Sequence, residues 1–566
     1  MNPRSFLRLI VAACLLLPLL TEAQLPIRNS RWRGTVLSPS DVPVFITFGR
    51  DTLLITTQAG NALVEAMEYR QQSDTLYVRK LVGSSPCGTG VMGRYRLAYL
   101  NSAEQFSLQP INDDCLERTD LLASKTPFAR ARPARQLPLN WPHLDPETDS
   151  IAGISLYRAY ELLKGLPSVP VTVAVLDSGV DIAHEDLKDV IWANPNETPD
   201  NNIDDDRNGY ADDYNGWNFM GAKDGTTYEY DQPEITQTYL LFRNKFDKAN
   251  PAALSPAEKR QYDTYQRAKT LFLQRQRIDT VIAYNPSYNA RRAVGDDPAD
   301  PTERYYGSPT MRIGTSEQLA VHGSHVAGII GAKRGNGRGI DGVADNVRIM
   351  PVSVVPANGD ERDKDVANGI RYAVENGAKV INMSFGKRLS PFKEQIDAAI
   401  RFAEERDVLI VHAAGNNGEN YDSLPSYPSA RYENGQVAQN VLVVGNSSGR
   451  VGENLASRSS NYGPQTVDLF APGSGIVSTT PNNGYAIFSG TSMAAPCVAG
   501  VAALLRSYFP NLTAIQVKEI LLKSSYKPDV LVRKPGRSDE KIPFKSLSRS
   551  GGLLNAYGAV KTALAK

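Results

Sequence analysis

Asp177 closes the apolar run Val171–Leu176 and is followed by Ser178-Gly179. An Asp at a strand end before a tight turn is ordinary loop chemistry about as often as catalysis. His322 and His325 stand at i and i+3 in His322-Gly-Ser-His325-Val-Ala-Gly328, which reads as the start of a helix. Such a pair could ligate a metal, but a third ligand at matching spacing is missing. Asn416 follows another apolar run in Ala413-Ala-Gly-Asn416-Asn-Gly418, where a turn residue is the plain alternative. Ser492 is the sharpest of the four. Gly490-Thr-Ser492-Met-Ala-Ala-Pro496 leads straight into Cys497–Leu505, a helix apolar all round and therefore buried. A Ser at its N-terminus meets free N–H groups and the positive end of the dipole, either as a reactive group or merely as a cap. Pro496 is expected in the first turn, where it costs no intrahelical bond.

Together these pieces are specific. Asp177, His322, Asn416 and Ser492, in that order, resemble the subtilisin family of serine peptidases, whose triad runs Asp, His, Ser along the chain. The resemblance covers roughly residues 150–566. It includes Asn382-Met-Ser384-Phe-Gly386, Ala471-Pro-Gly473 and Gly552-Leu-Leu-Asn555-Ala. It implies that Ser492 is the nucleophile, His322 its general base and Asp177 the group that orients the imidazole. Asn416 and the Ser492 N–H would hold the oxyanion. Ser384, Phe385 and Gly386 would form the edge to which a polypeptide substrate adds as a strand. His325, His184, His143 and His412 are read as structural. The expected function is that of an exported serine endopeptidase with no catalytic cofactor. Two other readings stand beside it: an inactive, peptide-binding relative, and a ligand-binding β module with a self-processing protease.

The elements that must position these residues fall into two styles. Short alternating segments, Val42–Gly49, Thr52–Thr57, Asp74–Leu81, Tyr95–Leu100 and Gln105–Ile111, predict a small all-β domain, barrel- or sandwich-like, over residues 24–125. It occupies the place of the family's prosegment, with a possible intramolecular role as chaperone or a role in binding a ligand or surface. A Pro-rich linker is expected over 126–150. From Val171 the runs Val171–Leu176, Val380–Met383, Val408–Ala413 and Val441–Val444 alternate with helical stretches such as Asp365–Asn376 and Pro391–Arg406. That pattern is α/β, a doubly wound parallel sheet over 151–566, with catalytic groups at the carboxyl ends of strands.

Composition is globular, with 41% hydrophobic and 22% charged residues. Lys and Arg total 62 against 61 Asp and Glu, which excludes a nucleic-acid binder relying on a globally basic surface. Arg4 and Arg8 before the apolar run Leu9–Leu20 read as a signal peptide over 1–23, too short for a stable membrane span. An extracellular or periplasmic location follows; a lipid anchor through Cys14 is the alternative. Export favours pairing of Cys87 with Cys115, leaving Cys497 as a buried small hydrophobe.

Asp177 and His322 lie 145 residues apart, far more than in many related enzymes. Part of the gap is an acidic loop. Asp204, Asp206, Asn208, Tyr210 and Asp212, with Gly209 at the sharp turn, fall at calcium-loop spacing, although Asn215 stands where a bidentate Glu belongs. A solvated acidic turn is the alternative. Asp186 matches a further calcium position in subtilisins. The rest is an insertion over about 222–318, in which Ser255-Pro-Ala-Glu258 is a capping box starting a helix that runs to about Ile282. It either covers the cleft or decorates the surface.

Overall fold

The structure is a computed structural model. It describes residues 30–36, 42–48, 52–57, 63–83, 91–100, 105–115, 118–119, 122, 127–130, 137–228, 231–278, 290, 295–311, 320–356, 359–424, 426–537 and 539–566. The expected signal peptide, with Cys14, and Cys87 lie outside these residues. The chain divides into two compact units, Met1–Gln136 and Leu137–Lys566.

The first unit is a closed antiparallel barrel of β1 (Ser30–Val36), β2 (Val42–Phe48), β3 (Thr52–Thr57), β4 (Leu63–Gln72), β5 (Thr75–Gly83), β6 (Met92–Leu100), β7 (Gln105–Asn112) and β8 (Phe128–Arg130). Each strand pairs with the next, and β8 closes on β1 at Trp32–Arg130. Closure removes the sheet edges and so decides for a barrel over a sandwich. Alternation places Val44, Ile46 and Phe48 inside with Trp32, Phe106 and Phe128. A buried Arg118 pairs with Asp113 at 2.5 Å, and Cys115 is disulfide-bonded. The strand β4 carries helix-forming Leu, Glu, Ala, Met and Gln, and here cross-strand pairing overrides propensity.

The second unit begins earlier than the expected linker allows. Trp141 is only 2% exposed and packs in its core, so 137–150 belongs to the fold, while Phe128–Arg130 is a barrel strand. Next come α1 (Leu156–Leu163), β9 (Val171–Asp177) and β10 (Trp217–Asn218). The insertion supplies α2 (Glu234–Phe246) and α3 (Pro256–Ile278). Then follow α4 (Ala320–Gly331), β11 (Val347–Ser353), α5 (Asp363–Glu375), β12 (Val380–Met383), α6 (Lys393–Glu405), β13 (Leu409–Ala413), β14 (Val441–Ser447) and β15 (Leu469–Pro472). The hairpin β16 (Ile476–Thr480) and β17 (Gly484–Phe488) precedes α7 (Thr491–Tyr508) and α8 (Ala514–Lys523). A second hairpin, β18 (Leu531–Arg533) and β19 (Lys541–Pro543), and α9 (Ala556–Leu564) end the fold.

The sheet is parallel throughout, in the order β10-β11-β9-β12-β13-β14-β15. Strands β12, β13 and β14 are buried along their whole length because helices cover both faces. One core layer joins α7, α4, α1, α8 and α9 to the sheet, and the other joins α5 and α6. The chain lays β11 on one side of β9 and then β12 on the other. That reversal opens a crevice at the carboxyl ends of β9 and β12. The insertion is a helical hairpin whose Phe242, Phe246 and Tyr265 pack on Phe392. Its capping box forms as expected: Ser255 N donates to Glu258 Oε2 at 3.1 Å and Glu258 N to Ser255 Oγ at 3.3 Å.

Trp141→Ala should lower stability by about 3–5 kcal/mol, the usual cost of emptying a buried aromatic site. Denaturant unfolding measures it, and a loss below about 1 kcal/mol would return 137–150 to the status of a linker.

Candidate active site

Asp177 ends β9 and is 2% exposed. Its Oδ1 accepts from the Ser178 N–H at 2.8 Å and lies 2.8 Å from His322 Nδ1. An ionised carboxylate only accepts, so Nδ1 carries the proton and Nε2 of the neutral ring is the acceptor. The contact requires α4 to lie directly on the turn after β9. Gly323 permits it, since a Cβ there would stand 2.0 Å from Gly179 O. Gly179 itself holds φ of +112°, a conformation open to glycine. Burial disfavours the imidazolium, but the Asp177 charge and hydrogen bond outweigh it and raise His322 above its ordinary value. The ring remains 40% exposed and so is accessible from solvent.

Ser492 lies in the first turn of α7, as expected, but the helix starts at Thr491, so Pro496 falls in the second turn. The missing Pro496 N–H would have bonded the Ser492 carbonyl. That carbonyl instead accepts from Ser384 Oγ at 2.8 Å, while Ser492 Oγ donates to Ser384 O at 2.9 Å. Asn382 Nδ2 in turn donates to Ser384 Oγ at 2.9 Å. The residue after β12 and the first turn of α7 are therefore bonded in both directions. Ser492 has one hydroxyl hydrogen, and here it goes to Ser384 rather than to His322.

Asn416 follows β13, and its Oδ1 accepts from the Thr491 N–H at 2.9 Å. This fixes the amide orientation and leaves Nδ2 beside Gly490, where a Cβ would come within 3.3 Å. The Nδ2 donors and the first-turn Ser492 N–H are both available for a negatively charged oxygen. The role of Thr491 as the clamp on Asn416 was not read from sequence, although its place within Gly490-Thr-Ser492 was the available signal.

Ser384, Asn416, Thr491 and Ser492 border one cleft of about 440 Å³. Ser384, Phe385, Gly386, Val355 and Gly359–Glu361 line it, as does Ile235 from the first turn of α2. The insertion thus reaches the cleft. The other histidines have structural partners. His325 Nε2 lies 3.1 Å from Ile476 O and Ala486 O, which occupies the nitrogen a metal pair would need, and burial pushes it to about 3. His412 lies 2.9 Å from Phe385 O and is pushed to about 4, and His143 to about 3. His184 Nε2 lies 3.1 Å from Gly484 O. Cys497 is a free, buried thiol, pushed up to about 12 by burial.

The acidic loop arranges itself differently from the expected set. Asp204 accepts from Asn208 N and Gly209 N, and Asp212 from Asn201 N and Asn202 N. Tyr210 is buried, with its hydroxyl on Arg304 O. The side chain of Asn208 bonds Asp206 and Asp213. Of the expected residues, Asp206 alone supplies a carboxylate to the convergent group, which is Glu197, Asp206 and Asp213 with oxygens within 4.8 Å of one another. Burial raises both Glu197 and Asp213. Sequence reasoning missed Glu197 and Asp213; their only signal was the carboxylate density on either side of the turn. Asp186 is satisfied by Asn336 Nδ2, the Tyr485 hydroxyl and Ile340 N.

The family model described as the subtilase family matches residues 170–559. A thermophilic serine proteinase of Bacillus sp. (strain AK1) is 41% identical over 206 residues, covering 36% of this chain and 47% of that protein. Alkaline elastase YaB of Bacillus sp. (strain YaB) is 38% identical over 215 residues, covering 38% and 51%. A cell wall-associated protease of Bacillus subtilis (strain 168) is 37% identical over 204 residues, covering 36% and 21%. The chain spans about half the length, or less, of these curated relatives. With a family match over most of its length and the sheet and crevice described above, the chain belongs to the subtilase family.

Proposed function

We propose that this chain is an exported serine endopeptidase that cuts polypeptides with Ser492, His322 and Asp177. The observation that carries the reading is the 2.8 Å contact of Asp177 with His322 at the carboxyl end of β9, in a fold that brings Ser492 and Asn416 together at one cleft. The hydroxyl of Ser492 turns from Ser384 O to His322 Nε2, which takes its proton as Oγ attacks the substrate carbonyl. The resulting oxyanion accepts from Asn416 Nδ2 and the Ser492 N–H. His322 then passes the proton to the leaving amine, and water releases the acyl group by the same path. The substrate lies as a strand along Ser384–Gly386. Thermophilic serine proteinase and alkaline elastase, the printed names of two relatives, agree with this chemistry.

Structural calcium belongs to the same reading. Glu197, Asp206 and Asp213 offer hard oxygen ligands, and three convergent carboxylates repel unless a cation lies between them. The basic start and apolar run at Leu9–Leu20 support export, and no helix among the described residues is long and apolar enough to cross a membrane. The barrel is proposed as a separately folding partner of the peptidase.

A fluorophosphonate should label the purified protein, and Ser492→Ala should abolish the label; equal labelling of both would remove the hydrolase reading. The base limb of kcat/KM should lie above 6.5, because activity needs neutral His322 and is lost as pH falls through its raised value. Asp177→Asn should move that limb down and lower kcat by about 10⁴. Saturating calcium should raise stability by about 2–4 kcal/mol. Scanning calorimetry with and without chelator tests this, and an equal chelator response in Glu197→Gln/Asp213→Asn would place the ion elsewhere.

A further inference from the structure

The cleft lining that includes Asp360 and Glu361 gathers more carboxyl groups than there are cations beside it. Glu361 is 2% exposed, lines the cleft together with Ser492 and Asn416, and its Oε1 has no hydrogen-bond partner among the described residues. A buried oxygen without a donor is costly, and native structures rarely retain one without a reason.

The nearby cations are already committed. Lys387 Nζ lies 3.0 Å from Glu234 and 2.8 Å from Asp363, and it also donates to the Glu361 backbone carbonyl at 2.7 Å. Arg362 bonds Asp231 at 2.8 Å and Glu234 at 3.1 Å. Lys364 is held by Asp296 and Glu303, and Arg388 by Glu419 at 2.6 Å. Asp360, also lining the cleft, accepts from the Glu234 N–H at 2.9 Å. Asp231, Glu234 and Asp363 therefore take up Arg362 and Lys387. Burial raises the Glu361 carboxyl well above its ordinary value against the pull of Lys387, with Asp360 and Glu234 adding to the rise. The insertion contributes directly to this arrangement, because Glu234 pairs with both Arg362 and Lys387.

We propose that Glu361, with Asp360, is a specificity-determining subsite for a Lys or Arg side chain on the N-terminal side of the scissile bond. Such a side chain supplies the missing donor and the missing positive charge together, while Ile235 packs on its aliphatic stem. The proposal rests on the peptidase reading, since it takes Ser384–Gly386 as the strand that holds the substrate.

The test compares internally quenched peptides that differ only by Lys against norleucine at each position preceding the cut. Wild-type protein should favour Lys at one position by about tenfold or more in kcat/KM. Glu361→Gln should bring that ratio close to one while leaving the norleucine peptides within about threefold. Equal rates for Lys and norleucine at every position overturn the proposal, as does a preference that survives in Glu361→Gln and in Asp360→Asn. The same peptides are titrated into Ser492→Ala protein by calorimetry. A Lys preference in binding, lost in Ser492→Ala/Glu361→Gln, supports the subsite even where wild-type turnover is absent, an outcome that would overturn only the peptidase reading. Turnover of the norleucine peptides without a Lys preference overturns only the subsite.

Discussion

The absent N–H of Pro496 is the constraint on which the site depends. A proline in the second turn of α7 frees the Ser492 carbonyl, and Ser384 Oγ takes the vacancy at 2.8 Å. The helix interior gives up a bond at the position where the chain needs to join helix and sheet. Because Ser492 Oγ also reaches Ser384 O, the proposed nucleophile and the segment proposed to hold the substrate are positioned by the same contact. A shift of β12 relative to α7 would displace both together.

A second constraint is the buried charge beside that segment. Lys387 immediately follows Gly386, and Arg362 immediately follows Glu361, so the two sides of the cleft each present a buried cation to Glu234. Ion pairs at this depth add little net stability, because desolvation offsets their attraction. Removing one partner is far more damaging, since it strands the remaining charges. The insertion is therefore tied to both sides of the cleft through Glu234, in a manner that surface decoration would not require.

Asp177, Asn416 and Ser492 could be placed on elements from sequence because each lies next to an apolar run, and apolar runs mark the sheet and the helix of this fold. Asp177 and Asn416 lie at strand ends and Ser492 at a helix start; a reader needs only element type to place them. What was hidden depends on convergence. The barrel closes through pairing of Trp32 with Arg130, which no local pattern announces. Proline at 138, 142 and 146 suggested a linker, but Trp141 between them is a core residue. The acidic turn spends Asp204 and Asp212 on backbone amides and gathers Glu197 and Asp213 instead, because turn geometry, not spacing along the chain, decides which oxygens meet. The Pro496 position failed by one turn, and that turn proved to be the informative one.

The Asp177–His322 contact bridges 145 residues, and the Ser384–Ser492 contact 108. The first closes a loop that includes the whole insertion, and the second a loop that includes β13, β14 and β15. Loop closure over such distances must be met before the contacts reward it, and a parallel sheet with reversed strand order adds to the delay. Ser492 also leaves the ribosome after nearly all the residues that position it. Each molecule thus passes through an extended interval in which the chain is largely made and the proposed site is not yet assembled.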